Sequence, residues 1–125
     1  PVVKDADKKS ILELGAEIEG LAHKARQGKI SLEELRGGTF TITSLGALGG
    51  LFATPIINYP ESAILGVHEI KKKPVVRDGQ IVIRDIMLLS LSFDHRLIDG
   101  HVGAMFTKEV IKYLEDPKLM LMAMI

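Results

Sequence analysis

Between two runs rich in apolar and β-branched residues the chain carries Arg77-Asp78-Gly79-Gln80, and this step limits the fold more than any other feature. An Asp-Gly pair suits the left-handed backbone of a tight type I′ turn, and such turns join antiparallel strands. The flanking runs are therefore expected to pair as a hairpin, one strand over Ser62–Val76 and its partner over Ile81–Phe93. In the second run Ile86-Met87-Leu88-Leu89 is apolar without alternation. That pattern predicts burial on both faces.

Helical signals lie on either side. Ile11, Leu14, Ile18, Leu21 and Ala25 recur at three- and four-residue steps, which predicts a helix over Asp7–Gln27 with one apolar face. Asp5 and Asp7 sit at its positive end, Lys24 and Arg26 near its negative end. Gly28 can take the left-handed conformation that stops it. Gly15 and Gly20 weaken the helix by about 1 kcal/mol each if exposed, or else allow close packing. Ser31-Leu32-Glu33-Glu34 has a capping-box pattern for one short turn, and Gly37-Gly38 breaks the chain. Thr39–Thr43 reads as a strand, followed by a flexible, glycine-rich loop, Ser44–Gly50. A second helix is expected from about Gly100 to Glu115, with Phe106, Val110 and Leu114 on one face, ended by Asp116-Pro117. With no internal repeat and no linker, the chain reads as one unit: an α/β sandwich with a mixed sheet.

Composition excludes several function classes. Sixteen basic and sixteen acidic residues cancel across 125 residues. This leaves no electrostatic footprint for nucleic acid and argues against a charge-driven membrane contact. No run approaches the ~20 apolar residues of a membrane span, and no signal-peptide core is present. Cysteine is absent, so neither a disulfide nor a thiolate nucleophile or metal ligand is available. That fits an intracellular protein. The chain begins at Pro1, and Pro1-Val2-Val3 reads as a strand entered partway, as after a processing cut.

Reactive groups are densest in Ser92-Phe93-Asp94-His95-Arg96-Leu97-Ile98-Asp99-Gly100-His101, where a strand gives way to a helix. An imidazole there has an ordinary pKa of about 6.5, suited to a general base. Asp99 could orient a group or balance a charge. On the residues alone, a surface or packed histidine is the favoured reading of His95. A metal site drawn from Asp94, His95, Asp99 and His101 is another, although neighbours on a strand point to opposite faces.

The string Asp94-His95-Arg96-Leu97-Ile98-Asp99-Gly100 resembles the DHRxxDG signature of the dihydrolipoamide acyltransferases, the cores of the 2-oxoacid dehydrogenase complexes. Gly38-Thr39-Phe40-Thr41-Ile42-Thr43-Ser44-Leu45-Gly46 resembles their GTFTISNLG segment. Thr54-Pro55-Ile56-Ile57-Asn58, Pro60-Glu61-Ser62-Ala63-Ile64-Leu65-Gly66 and Leu114-Glu115-Asp116-Pro117 resemble later family segments, and Pro1–Gln27 resembles the family's linker strand and long helix. The similarity spans essentially the whole chain.

This resemblance implies a chloramphenicol acetyltransferase-like fold, a two-layer α/β sandwich with a mixed sheet. The N-terminal part of the domain is then expected to be missing, along with the lipoyl domain and the small domain that binds peripheral subunits. It also implies acyl transfer between dihydrolipoamide and coenzyme A, without a metal. His95 would be the base, Thr43 (where many members carry Ser) the oxyanion donor, and Asp99 half of a salt bridge supporting the histidine loop. Arg96 would stabilise the strand–helix junction. Coenzyme A would lie along Thr43, Ser44, Ala47, His68 and Ile70; a packed strand residue is the other reading of His68. Lys71-Lys72-Lys73 reads as a solvated strand end before a phosphate contact.

The family forms trimers that build larger hollow cores, with His95 facing a neighbour's Thr43. Dehydrogenase components would bind through the missing domains. The tail Leu119–Ile125 suits an intersubunit plug or core packing. The implied location is the cytoplasm, or the mitochondrial matrix in a eukaryote. Two other readings stay open: a catalytically incompetent core fragment serving as an assembly scaffold, and a free-standing antibiotic-modifying acetyltransferase, whose motif has a second histidine where Asp94 stands. Thr43 resembles the succinyl-transferring members, and Ser44-Leu45-Gly46 resembles the others.

Overall fold

The structure, a computed structural model, describes every residue except Ala47, Leu48, Met124 and Ile125. Its elements are α1 (Ile11–Arg26), β1 (Thr41–Ser44), β2 (Ala63–Val67), β3 (Lys71–Arg77), β4 (Gln80–Ile86), β5 (Leu89–Phe93), α2 (Gly100–Glu115) and α3 (Pro117–Ala123). The fold is mixed α/β, and the chain divides into two compact units: residues 1–39 with 116–125, and residues 40–115.

In the first unit α1 begins at Ile11, later than expected. Ser10 and Glu13 form a reciprocal capping box: the Glu13 N–H donates to Ser10 Oγ at 3.3 Å, and the Ser10 N–H donates to Glu13 Oε2 at 2.8 Å. Two orphan donors are satisfied there, so Asp5 and Asp7 stay outside, around a single 3₁₀ turn at Ala6–Lys8. Gly28 leaves the helix at φ 67°. A second reciprocal box joins Ser31 and Glu34, as the spacing predicts. Glu34 also pairs with Lys24 at 2.6 Å, and its carbonyl accepts the Val2 N–H at 2.7 Å. A methyl group on Gly15 or Gly20 would meet no atom within 4 Å, so neither glycine serves close packing within the described chain. Asp116 opens α3, its carboxylate accepting the N–H groups of Lys118 and Leu119.

The second unit contains two sheets. β2 is the centre of a mixed sheet, parallel to β1 and antiparallel to β5. Thr43, Gly66 and Ser90 share one row across it. β3 and β4 form a separate antiparallel hairpin. Its turn has φ 50° at Asp78 and 74° at Gly79, the two positive angles a type I′ turn requires.

The long strand expected over Ser62–Val76 is therefore two strands, broken at His68–Ile70, and Ile81–Phe93 is likewise two. The cause is a change of partner: β2 takes β5, whereas β3 takes β4. The Ile86–Leu89 run is the crossing between sheets and is not buried on both faces; Leu88 is 36% exposed. The core of this unit is β2 itself, where Ala63, Ile64, Leu65 and Gly66 are buried.

Candidate functional site

β5 delivers its last residue, Phe93, to the edge of the mixed sheet. One step on, the Asp94 N–H donates to Ser62 O at 2.8 Å, holding the chain against the start of β2. The Asp94 carbonyl then accepts the N–H groups of Leu97 (2.9 Å) and Ile98 (3.0 Å). This closes a turn that leads into α2. The Asp94 carboxylate grips the same turn from outside. It accepts from Arg96 Nε at 2.9 Å, from Arg96 Nη2 at 2.7 Å and from the Arg96 N–H at 3.0 Å. Arg96 thus braces the strand–helix junction.

The guanidinium bonds, then the backbone N–H, hold the Asp94 carboxyl down from the ordinary 3.8 to about 2. A carboxyl depressed in the folded state keeps its bonds above its ordinary pKa and loses them as pH falls through the folded value. The clip therefore persists through the neutral range. A carboxyl-carbon titration of Asp94 by NMR should show a midpoint near 2; a midpoint at 3.8 or above would mean the clip is absent in solution. Both Asp94 oxygens are engaged by Arg96, which removes Asp94 from the metal set considered above.

His95 stands exposed on the outer side of this turn. Its ring lies 5.7 Å from the Phe93 ring, tilted by 36°. A methyl group on Gly100 would lie 3.8 Å from its Nε2. Asp99 and His101 are exposed too. Among the described residues, the Asp99 carboxylate has no salt-bridge partner, while its carbonyl opens α2 by accepting the Gly103 N–H at 3.1 Å.

The other expected residues gather at a second place. Thr43, Ser44 and His68 line one cavity of about 230 Å³ with Leu45, Pro55 and Val67. His68 is buried, 7% exposed. Its Nε2 lies 2.9 Å from Ser90 Oγ and accepts the Ala53 N–H at 3.4 Å. The ring folds back over Gly66, where a methyl group would meet Nε2 at 3.2 Å. Ile70 is exposed and does not line this cavity. Ala47 lies outside the described residues.

Strand register sets the distance between the two places. Thr43 sits in the row of Ser90, two strands away, and His95 follows Ser90 by five positions. With strands ~4.8 Å apart and ~3.3 Å per residue, this places His95 and Thr43 on the order of 15–20 Å apart within one chain. They lie toward opposite ends of the sheet.

Three residues that bear on these places were not singled out from the sequence: Ser90, Phe93 and Gly103. Ser90 gave a faint signal as a hydroxyl among the alternating residues of β5. Gly103 gave a clearer one, a glycine inside a helix that its backbone does not require.

Residues 1–122 match the family described as 2-oxoacid dehydrogenases acyltransferase (catalytic domain). The chain is 50% identical over 122 residues to the succinyltransferase component of the mitochondrial 2-oxoglutarate dehydrogenase complex of Saccharomyces cerevisiae, covering 98% of this chain and 26% of that protein. Its fold superposes with a TM-score of 0.92 and 45% identity on the dihydrolipoamide acetyltransferase of Azotobacter vinelandii, covering 97% of this chain and 50% of that one. That structure was determined to investigate a serine, a histidine and an asparagine in the catalytic mechanism, spaced along their chain as Thr43, His95 and Asp99 are along this one. The cubic core of a pyruvate dehydrogenase multienzyme complex superposes with a TM-score of 0.92 and 46% identity, again over 97% of this chain and 50% of the other. The chain thus spans about a quarter of the curated relative and half of the solved chains. With its match running from residue 1 to residue 122, the chain belongs to the family of 2-oxoacid dehydrogenase acyltransferases, as part of the catalytic domain.

Proposed function

We propose that this segment supplies the base and the oxyanion donor of a dihydrolipoamide acyltransferase, moving an acyl group between dihydrolipoamide and coenzyme A. The observation that carries this is the shared spacing of Thr43, His95 and Asp99 with the three residues studied in the Azotobacter vinelandii enzyme. His95 takes the proton of the attacking thiol, because the thiolate is the effective nucleophile. The thiolate sulfur bonds to the thioester carbonyl carbon, and the carbonyl oxygen becomes an oxyanion that the Thr43 hydroxyl stabilises. Collapse breaks the original C–S bond, and the departing thiolate takes its proton from the His95 imidazolium. No metal enters the reaction.

The two groups must flank one reacting carbon, with reacting atoms about 3–3.5 Å apart at attack. A backbone separation on the order of 15–20 Å within the chain, from ideal strand spacing, supports a site shared between copies, with His95 of one facing Thr43 of another. We read the assembly as a homotrimer that builds a larger hollow core; similarity to a cubic core supports the larger assembly. We read the fold as a two-layer, chloramphenicol acetyltransferase-like sandwich completed by residues outside this segment. Dehydrogenase components and the lipoyl group would come through other domains of the parent chain.

The cavity at Thr43, Ser44 and His68, at about 230 Å³, is smaller than the roughly 300–1,000 Å³ of whole-ligand sites. It suits a thiol arm of coenzyme A, not the whole molecule. Among the described residues no helix is long and apolar enough to cross a membrane.

The parent polypeptide should transfer acetyl or succinyl from the acyl-dihydrolipoamide to coenzyme A. Failure with both donors and with a branched-chain donor would overturn this reading in favour of a scaffold.

A further inference from the structure

We propose that Phe93 and Gly103 form the seat that fixes the His95 imidazole, making Phe93 a positioning residue for the base. This rests on the reading of His95 as the base. The Asp94–Arg96 clip sets the backbone of the turn, but it leaves both side-chain torsions of His95 free. Among the described residues the imidazole makes no side-chain hydrogen bond that would lock it, and the Phe93 ring, 5.7 Å away, is its aromatic neighbour.

Phe93 is in turn located by α2. A methyl group built on Gly103 would lie 2.5 Å from Phe93 Cε1, 3.0 Å from Cζ and 3.1 Å from Cδ1. Real side chains do not approach that closely, so the phenyl ring occupies the space a side chain at position 103 would need. Gly103 is buried and sits inside α2, its carbonyl accepting the Thr107 hydroxyl at 2.9 Å. Its φ is not in the left-handed region, so the backbone there does not call for glycine, and alanine is the better helix former. The space calls for it. Gly15 and Gly20 in α1 make the contrast, since a methyl group on either meets nothing within 4 Å.

The seat thus links β5 to α2 directly behind the base. It also accounts for an aromatic residue immediately before the Asp94-His95 turn, where the strand face alone would accept any apolar side chain. A displacement of the ring by even ~1 Å should cost roughly a hundredfold in rate if it is passed to the reacting geometry.

The test uses the full parent polypeptide, assayed with acyl-dihydrolipoamide and coenzyme A, with kcat, KM and thermal midpoint measured together. Gly103→Ala should lower kcat by roughly tenfold to a hundredfold with KM nearly unchanged. Phe93→Leu should give a smaller loss with the same split. The double variant should be no worse than Phe93→Leu alone, because leucine vacates the space the new methyl group needs. A purely structural role would lower the thermal midpoint and leave kcat of the folded protein intact. Wild-type kcat in Phe93→Leu, or losses that multiply in the double variant, would overturn the proposal; Phe93→Leu decides it alone if Gly103→Ala does not assemble. His95→Ala is the control. An active His95→Ala protein sinks the base and the seat together, whereas an inactive one beside a fully active Gly103→Ala protein sinks the seat alone.

Discussion

His95→Ala in the parent polypeptide should lower kcat by about 10²–10⁴-fold, the range for loss of a positioned general base. KM for coenzyme A should change little, since the imidazole acts on the thiol proton and not on the body of the coenzyme. Assembly and thermal stability should hold as well. The His95 side chain is exposed, and the turn that carries it is built by Asp94 and Arg96. Steady-state kinetics beside a measurement of molecular mass would separate these effects. A rate near wild type would remove His95 from the chemistry. A rate lost together with assembly would make it a structural residue.

Thr43→Ala should have the second-largest effect, a loss of about 10²–10³-fold in kcat from removal of one oxyanion donor. Thr43→Ser keeps the hydroxyl and sheds the methyl group, so it should retain most of the rate. Thr43→Val keeps the shape without the donor and should resemble alanine. If valine and serine behave alike, the hydroxyl does no chemistry and Thr43 is only a strand residue beside the cavity. The cavity itself survives each change, since Ser44, Leu45, Pro55, Val67 and His68 still line it.

Local chemistry was legible in the sequence wherever a few adjacent residues decide a backbone. The Asp78-Gly79 turn and the bounds of α2 could be read directly. The start of α1 was written in Ser10 and Glu13, but Asp7 offered a competing acidic start; only the reciprocal bonds separate the two. The break at His68–Ile70 was not legible. Residues on both sides favour strand, and the choice of β5 or β4 as partner is made by distant segments.

The site divides in the same way. The Asp94-His95-Arg96 string marks His95 as the candidate base through its resemblance to the DHRxxDG signature, a pattern of adjacent residues. By contrast, the burial of His68 over Gly66 depends on Ser90 and Ala53, far along the chain. Phe93 and Gly103 meet only once β5 and α2 are packed.

The central claim is that His95 and Thr43 act together from different copies of the chain. Co-assembly of His95→Ala and Thr43→Ala polypeptides tests it most directly. Each variant alone should be nearly inactive. In a random one-to-one mixture, a site that draws each residue from a different copy is intact in roughly a quarter of cases, by the arithmetic of a head-to-tail interface. Recovery of about that fraction of wild-type activity is the expected result. No recovery from a verified mixed assembly would place both residues of each site in one chain and contradict the account.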